Sequence, residues 1–160
     1  MPFQVPFVSG TLYAAKVMSK SVEINGLLLP SVLVAAMAKG VWRAPRASEA
    51  WYGLFPRAEV VRPELYHTAQ MKRVNSDWAQ ESDPLYIGRA NSKCQPGNLD
   101  PRRSLLIGEL QPDALIGLDY RESATSPSVV YLVSSDDGWM RVAPNIESFI
   151  AALRLGELVD

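Results

Sequence analysis

The stretch from Ser104 to Leu155 constrains the fold of this chain more than any other. It reads SLLIGELQPDALIGLDYRESATSPSVVYLVSSDDGWMRVAPNIESFIAALRL. Four short apolar runs, at residues 105–107, 115–118, 129–133 and 139–142, follow one another between turn formers, the pattern of short strands. Gln111-Pro112-Asp113 separates the first pair, residues 123–127 the second, and Asp136-Asp137-Gly138 the last, where an Asp-Gly step is a hairpin signal. Connections this short favour antiparallel neighbours, because a parallel crossover takes a dozen or more residues. The reading is four antiparallel strands, over 105–107, 115–119, 129–133 and 139–142.

A helix over 145–155 is expected to close the unit. Asn145 suits an N-cap, and Glu147 in the first turn complements the positive end of the helix dipole. Ile146, Phe149, Ile150 and Leu153 recur at spacings of three and four, so they form one apolar stripe, and Gly156 stops the helix. A sheet with one apolar face and a helix with one apolar stripe can bury each other. The fold class that follows is α+β: a single domain with a twisted, mainly antiparallel sheet packed by N-terminal and C-terminal helices.

The order LLIGEL, IGLDYR, PSVVYL and then WMRVAPNIESFI resembles the C-terminal half of the SUKH superfamily, in which an LDYR strand precedes a PsV.yL strand, a Trp-bearing strand and a final helix. Leu99-Asp100-Pro101 and Leu29-Pro30 also fit that pattern. The similarity covers about the last 60 residues, and it rests on order and spacing. It implies a SUKH-like fold. It also implies membership of a group whose bacterial members include immunity proteins of toxin systems and whose fungal relatives regulate cell-wall synthesis.

The whole chain is 160 residues, the length of one domain. A net charge of −1 argues against a general polyanion binder, which needs a basic excess. Cys94 is the only cysteine, so no intramolecular disulfide forms, which suits a reducing compartment. The start MPFQVPFVSG has no basic leader region, and no apolar run approaches the length of a membrane span, so a cytoplasmic protein without membrane contact is expected.

Upstream, residues 1–10 read as extended and 11–21 as either helix or strand. Val22-Glu23-Ile24 before Asn25-Gly26 reads as a short strand and turn. Pro30 opens a helix over 32–39 that Gly40 ends. Residues 43–48 read as a loop, and Trp51, Leu54 and Phe55 as an aromatic cluster packed in the core. The pattern of Leu65, Tyr66, Met71 and Trp78 predicts a helix over 64–79. Leu85-Tyr86-Ile87 reads as an edge strand, and 89–103 as a long polar loop.

Catalytic signatures are scarce. His67, the only histidine, is placed mid-helix, and one histidine with one cysteine leaves zinc without its usual ligands. Neither a GxxxxGK[ST] phosphate loop nor a GxGxxG fingerprint is present. No cofactor or metal is therefore expected. Asp119 and Arg121 lie two apart on a strand, with Tyr120 on the other face. They read either as a local ion pair or as part of a recognition surface. Asp136-Asp137 reads as a hairpin turn that can also meet a basic partner. Arg43, Arg46, Arg57 and Arg62, interleaved with Trp42, Trp51 and Tyr52, read as interface anchors for a protein rather than for nucleic acid.

These readings, with the resemblance, converge on a non-enzymatic module, monomeric or weakly dimeric, that neutralises a cognate protein toxin of nuclease type. Its candidate surface is Asp119, Asp136, Asp137 and the exposed part of Trp139, and Trp139 reads equally well as wholly core. Two alternatives stay open: a small hydrolase using Asp119 with Asp136 or Asp137, and a scaffold of wall synthesis.

Overall fold

In the computed structural model, the described residues are 21–46, 48–55, 58–90 and 92–156. The readings for residues 1–20 and for Arg57 lie outside them. The chain is α+β, and its elements run β1 (Glu23–Ile24), β2 (Leu27–Leu28), α1 (Ser31–Ala38), α2 (Ser48–Leu54), β3 (Glu64–Leu65), α3 (Thr68–Trp78), α4 (Pro84–Ile87), β4 (Pro96–Gly97), a 3-10 turn (Pro101–Arg103), β5 (Ser104–Gln111), β6 (Ala114–Asp119), β7 (Ser128–Ser134), β8 (Gly138–Ala143) and α5 (Ile146–Ala152).

The four expected strands are β5 to β8. They form a meander in which every neighbouring pair is antiparallel, with registers such as Leu118↔Val129 and Leu132↔Trp139. The short strands β3 and β4 extend it on either side, giving the order β3-β5-β6-β7-β8-β4. The closing helix is α5. Asn145 caps it by accepting from the Ser148 N–H at 2.8 Å, and Ile146, Phe149 and Leu153 are buried along its inner face. It ends earlier than the sequence suggests, with Arg154 and Gly156 both at positive φ.

The sheet is covered on both faces, not one. Tyr131 on β7 meets Phe55, ring centroids 4.8 Å apart, and Phe55 also packs edge-on against Phe149 of α5. Its neighbour in sequence, Leu132, pairs with Trp139, which packs at 6.0 Å against Trp78 of α3 on the other side. This explains why β7 reads as an unbroken apolar run: a strand buried on both faces has no polar face to alternate with. One contiguous core results, from Ile24 to Leu153.

Two readings need correction. Residues 64 and 65 are strand, not the start of a helix. Glu64 pairs with Glu109 and Leu65 with Gly108, and α3 begins only at Thr68. The close approach is possible because Gly108 lacks a side chain; a Cβ there would meet the Glu64 carbonyl at 2.6 Å. Beyond the end of β3, Asn75 of α3 stands in for the missing strand. Fully buried, it accepts from the Leu106 N–H at 2.7 Å and donates to the Leu106 carbonyl at 2.9 Å. Such satisfaction is what buried backbone groups require.

Residues 84–87 are a helical turn, not an edge strand. Pro84 sits at the first helical position and Asp83 accepts from the Leu85 N–H at 3.0 Å. The long polar loop is also tied down. Pro96 and Gly97 pair with Met140 and Trp139, and Leu99 donates to the Ile87 carbonyl at 2.9 Å. Gly88, Gly97 and Gly138 interlock here, all at positive φ. A Cβ on Gly88 or Gly138 would collide with the Gly97 carbonyl, and one on Gly97 with the Arg89 carbonyl.

Candidate partner-binding surface

In a meander, alternate turns project from the same end of the sheet. The β5–β6 turn and the β7–β8 turn therefore share one end, and the β6–β7 connection occupies the other. This separates the four candidate residues.

Asp119 is at the far end, paired with Ser128. It is 5% exposed, and both its oxygens are engaged by Arg121: Oδ1 by Nε at 3.0 Å and Oδ2 by an Nη at 3.1 Å. The guanidinium goes on to donate to the side chain and the backbone carbonyl of Asn98, at 3.0 and 2.6 Å. Asp119 is thus the buried base of a partly exposed clamp that fastens the loop at Asn98 to the sheet. Of the two readings of Asp119 and Arg121, the structure shows the ion pair, and its fork geometry is the strong kind. Tyr120 points the other way as expected, buried, and donates to the Leu28 carbonyl at 2.9 Å.

Asp136 is exposed and Asp137 partly so, in the turn that joins β7 to β8. The Asp137 N–H is held by the Ser134 hydroxyl at 3.0 Å. From Ser128 to Ser134, β7 rises about 20 Å at the usual pitch of a strand. Asp119 and the acidic turn therefore stand at opposite ends of β7. The structure therefore does not bring Asp119 together with Asp136 or Asp137.

Trp139 has no exposed part. It is fully buried, and its indole N–H donates to the Tyr86 carbonyl at 2.7 Å. Its place is beneath the acidic turn, where it anchors β8 against α4.

The structure adds residues that the sequence reading passed over. Asp113 is exposed at φ +70° in the β5–β6 turn, at the same end as Asp136 and Asp137. Its carboxylate accepts from the Tyr86 hydroxyl at 3.1 Å, and this bond, with the carboxylate's charge, raises the Tyr86 phenol above its ordinary pKa. Glu81 and Asp83 push the same phenol in the same direction. Leu85, next to Tyr86, is 57% exposed. The end thus presents two acidic turns around a small helix that carries an open leucine. The alternation of turns in the predicted meander was the signal that pairs Asp113 with Asp136 and Asp137.

Elsewhere, Trp42 and Trp51 are core residues whose indoles donate to the Tyr66 and Pro45 carbonyls, each at 2.8 Å. Of that aromatic set only Tyr52 is open, at 46%. Arg43, Arg46 and Arg62 are exposed. His67 is exposed at the residue before α3, not within a helix. Among the described residues no group of three His, Cys, Asp or Glu side chains converges as metal ligands, and no helix is long and apolar enough to cross a membrane.

No family model matches the chain, and neither a curated protein nor a solved structure is found to match it.

Proposed function

We propose that this protein is a non-enzymatic, intracellular binding module that captures a basic protein, and that it serves as the immunity protein of a toxin system. The observation that carries the reading is the gathering of Asp113, Asp136 and Asp137 in two hairpin turns at one end of a rigid meander. The SUKH-like order of strands in the sequence supports the immunity role.

An acidic face of this kind suits a nuclease-type toxin, whose own surface is basic because it handles a polyanion. Complementary charge speeds the encounter. Turns fixed on a packed sheet lose little freedom when they bind, which preserves affinity. Blocking an enzyme in this way needs a surface of about 800 Å² on each partner and no chemistry of its own.

The test is co-expression with a toxin domain encoded beside this chain. The wild type is expected to rescue growth and to co-purify with the toxin. Asp136→Lys with Asp137→Lys is expected to weaken capture by about tenfold or more, since like charges then face each other. A folded double variant that protects as well as the wild type removes this surface from consideration. Absence of any neighbouring toxin domain, with no co-purifying partner, ends the immunity reading itself.

A further inference from the structure

The outer face of α4 carries a finer statement about the partner. Pro84-Leu85-Tyr86-Ile87 has no charged side chain, and none of the four is fully buried. Leu85 is 57% exposed. A single open leucine is ordinary on a protein surface, but this one is held there from several sides. Its own N–H is taken by the Asp83 carboxylate at 3.0 Å. The Tyr86 carbonyl accepts from the Trp139 indole at 2.7 Å, and the Ile87 carbonyl from the Leu99 N–H at 2.9 Å. The Tyr86 hydroxyl reaches Asp113 at 3.1 Å. Side chains and backbone from distant parts of the chain thus fix an apolar turn in the open.

The same bonds place α4 between the two acidic turns, tied to one through Asp113 and to the strand after the other through Trp139. Glu81 and Asp83 are themselves held by the backbone N–H groups of residues 82, 83 and 85. With Asp113 they raise the Tyr86 phenol, so their charge lies beside this turn. Asp136 and Asp137 stand on the neighbouring hairpin. The loop after α4 adds two exposed cations, Arg89 and Lys93, and the carboxylates outnumber them. Among the described residues none of these carboxylates has an ion pair. An apolar centre within a polar rim is the anatomy of a protein interface, and a rim of this sign is complementary to a basic partner.

We infer that Leu85 is the apolar contact of this surface, and that its partner presents a large apolar side chain flanked by lysine or arginine. The inference rests on the basic-partner reading above and adds the pattern that the partner must show. Charge alone accepts any basic chain; Leu85 discriminates in favour of one with an apolar residue among its cations.

The experiment uses the full chain and two fluorescein-labelled peptides, Lys-Arg-Phe-Arg-Lys and Lys-Arg-Ser-Arg-Lys, followed by fluorescence anisotropy at low salt. Both are expected to bind saturably, the Phe peptide about tenfold more tightly. Leu85→Ser is expected to bring the two to equal affinity, and Leu85→Met to keep the preference. The position is exposed, and an unchanged far-ultraviolet spectrum and melting temperature establish that both variants fold. Asp136→Lys with Asp137→Lys should weaken both peptides alike. Equal binding of the two peptides to the wild type, or a preference that survives in Leu85→Ser, overturns the inference and leaves the acidic surface standing. No saturable binding, or binding indifferent to the charge reversal, overturns both. A concentration-dependent dimer dissolved by Leu85→Ser would make a second copy the occupant and overturn the inference as well.

Discussion

At one end of the meander Asp119 is buried, with each oxygen bonded to Arg121 and the guanidinium passed on to Asn98. At the other end Asp113 and Asp136 stand in solvent within turns. All three are aspartates beside apolar strands, and Asp119 alone has an arginine two residues on. What holds that arginine in place arrives from elsewhere in the chain. The 98–103 segment covers the first end and converts a carboxylate into a fastening. At the second end α4 and the loop that carries Gly97 pack close by, and they leave the turns open. A carboxylate at a strand end is therefore left open where no arginine is held against it and no distant loop fastens that arginine down.

This contrast can be broken or sharpened by substitution. The largest effect is expected at Trp139, the buried support of the open end. Trp139→Ala removes a fully buried indole and strands the Tyr86 carbonyl, and it is expected to cost about 3–5 kcal/mol. A loss below about 1 kcal/mol in urea denaturation would mean that the acidic turn does not rest on this residue.

Asp119→Ala at the closed end is expected to cost about 1–3 kcal/mol, the penalty for leaving a partly buried charged donor without its acceptor. Arg121 retains 26% exposure, which moderates the loss. If the variant is as stable as the wild type but fails to capture the partner, the roles of the two ends are reversed.

The next effect depends on pH. Burial raises Tyr120, at the closed end, above the ordinary phenol pKa, and Tyr66 is raised by its own burial and by its hydrogen bond to Glu109. Because the folded-state values are raised, the stability they confer is complete below the unfolded value of about 10. It is lost as pH climbs from there towards the folded values. Each such tyrosine removes about 1.4 kcal/mol per pH unit in that window. Tyr120→Phe is expected to make the alkaline decline measured by denaturation between pH 10 and 11 shallower by about 1 kcal/mol. A decline as steep in the variant would show that this phenol ionises freely in the folded protein.

The smallest effect on stability is expected at the open end. Asp136→Lys with Asp137→Lys should change stability by no more than about 0.5 kcal/mol, as substitutions at exposed turn positions do. A larger destabilisation would mean that these carboxylates are structural after all, and that the two ends are alike.

The C-terminal half was legible because its information is local. Four strands linked by short turns, an Asp-Gly step and a capped helix need no knowledge of the rest of the chain. β3 was not legible for the opposite reason. Its two residues owe their extended form to Gly108, more than 40 positions away, where the absence of a side chain admits another backbone. Leu85-Tyr86-Ile87 has the composition of a strand, and the Asp83-Pro84 start that makes it helical was the overlooked signal. The Asp119–Arg121 pair was visible in its two-residue spacing. Its burial was not, because Asn98 and the loop that carries it arrive from outside the strand. Trp139 shows the same limit: a tryptophan one step after a turn glycine is open or closed according to whether a distant helix covers it.

The interlock of Gly88, Gly97 and Gly138 divides the open end into what can vary and what cannot. Gly138 follows the acidic pair directly, yet its missing side chain is what lets β8 lie against the Gly97 backbone. The carboxylates one and two positions earlier touch no such limit. Under the proposed function, such a surface is retuned to a new partner by rewriting residues 136 and 137 while the adjacent glycine stays fixed. Specificity is then a replaceable part mounted on an immovable hinge-pin.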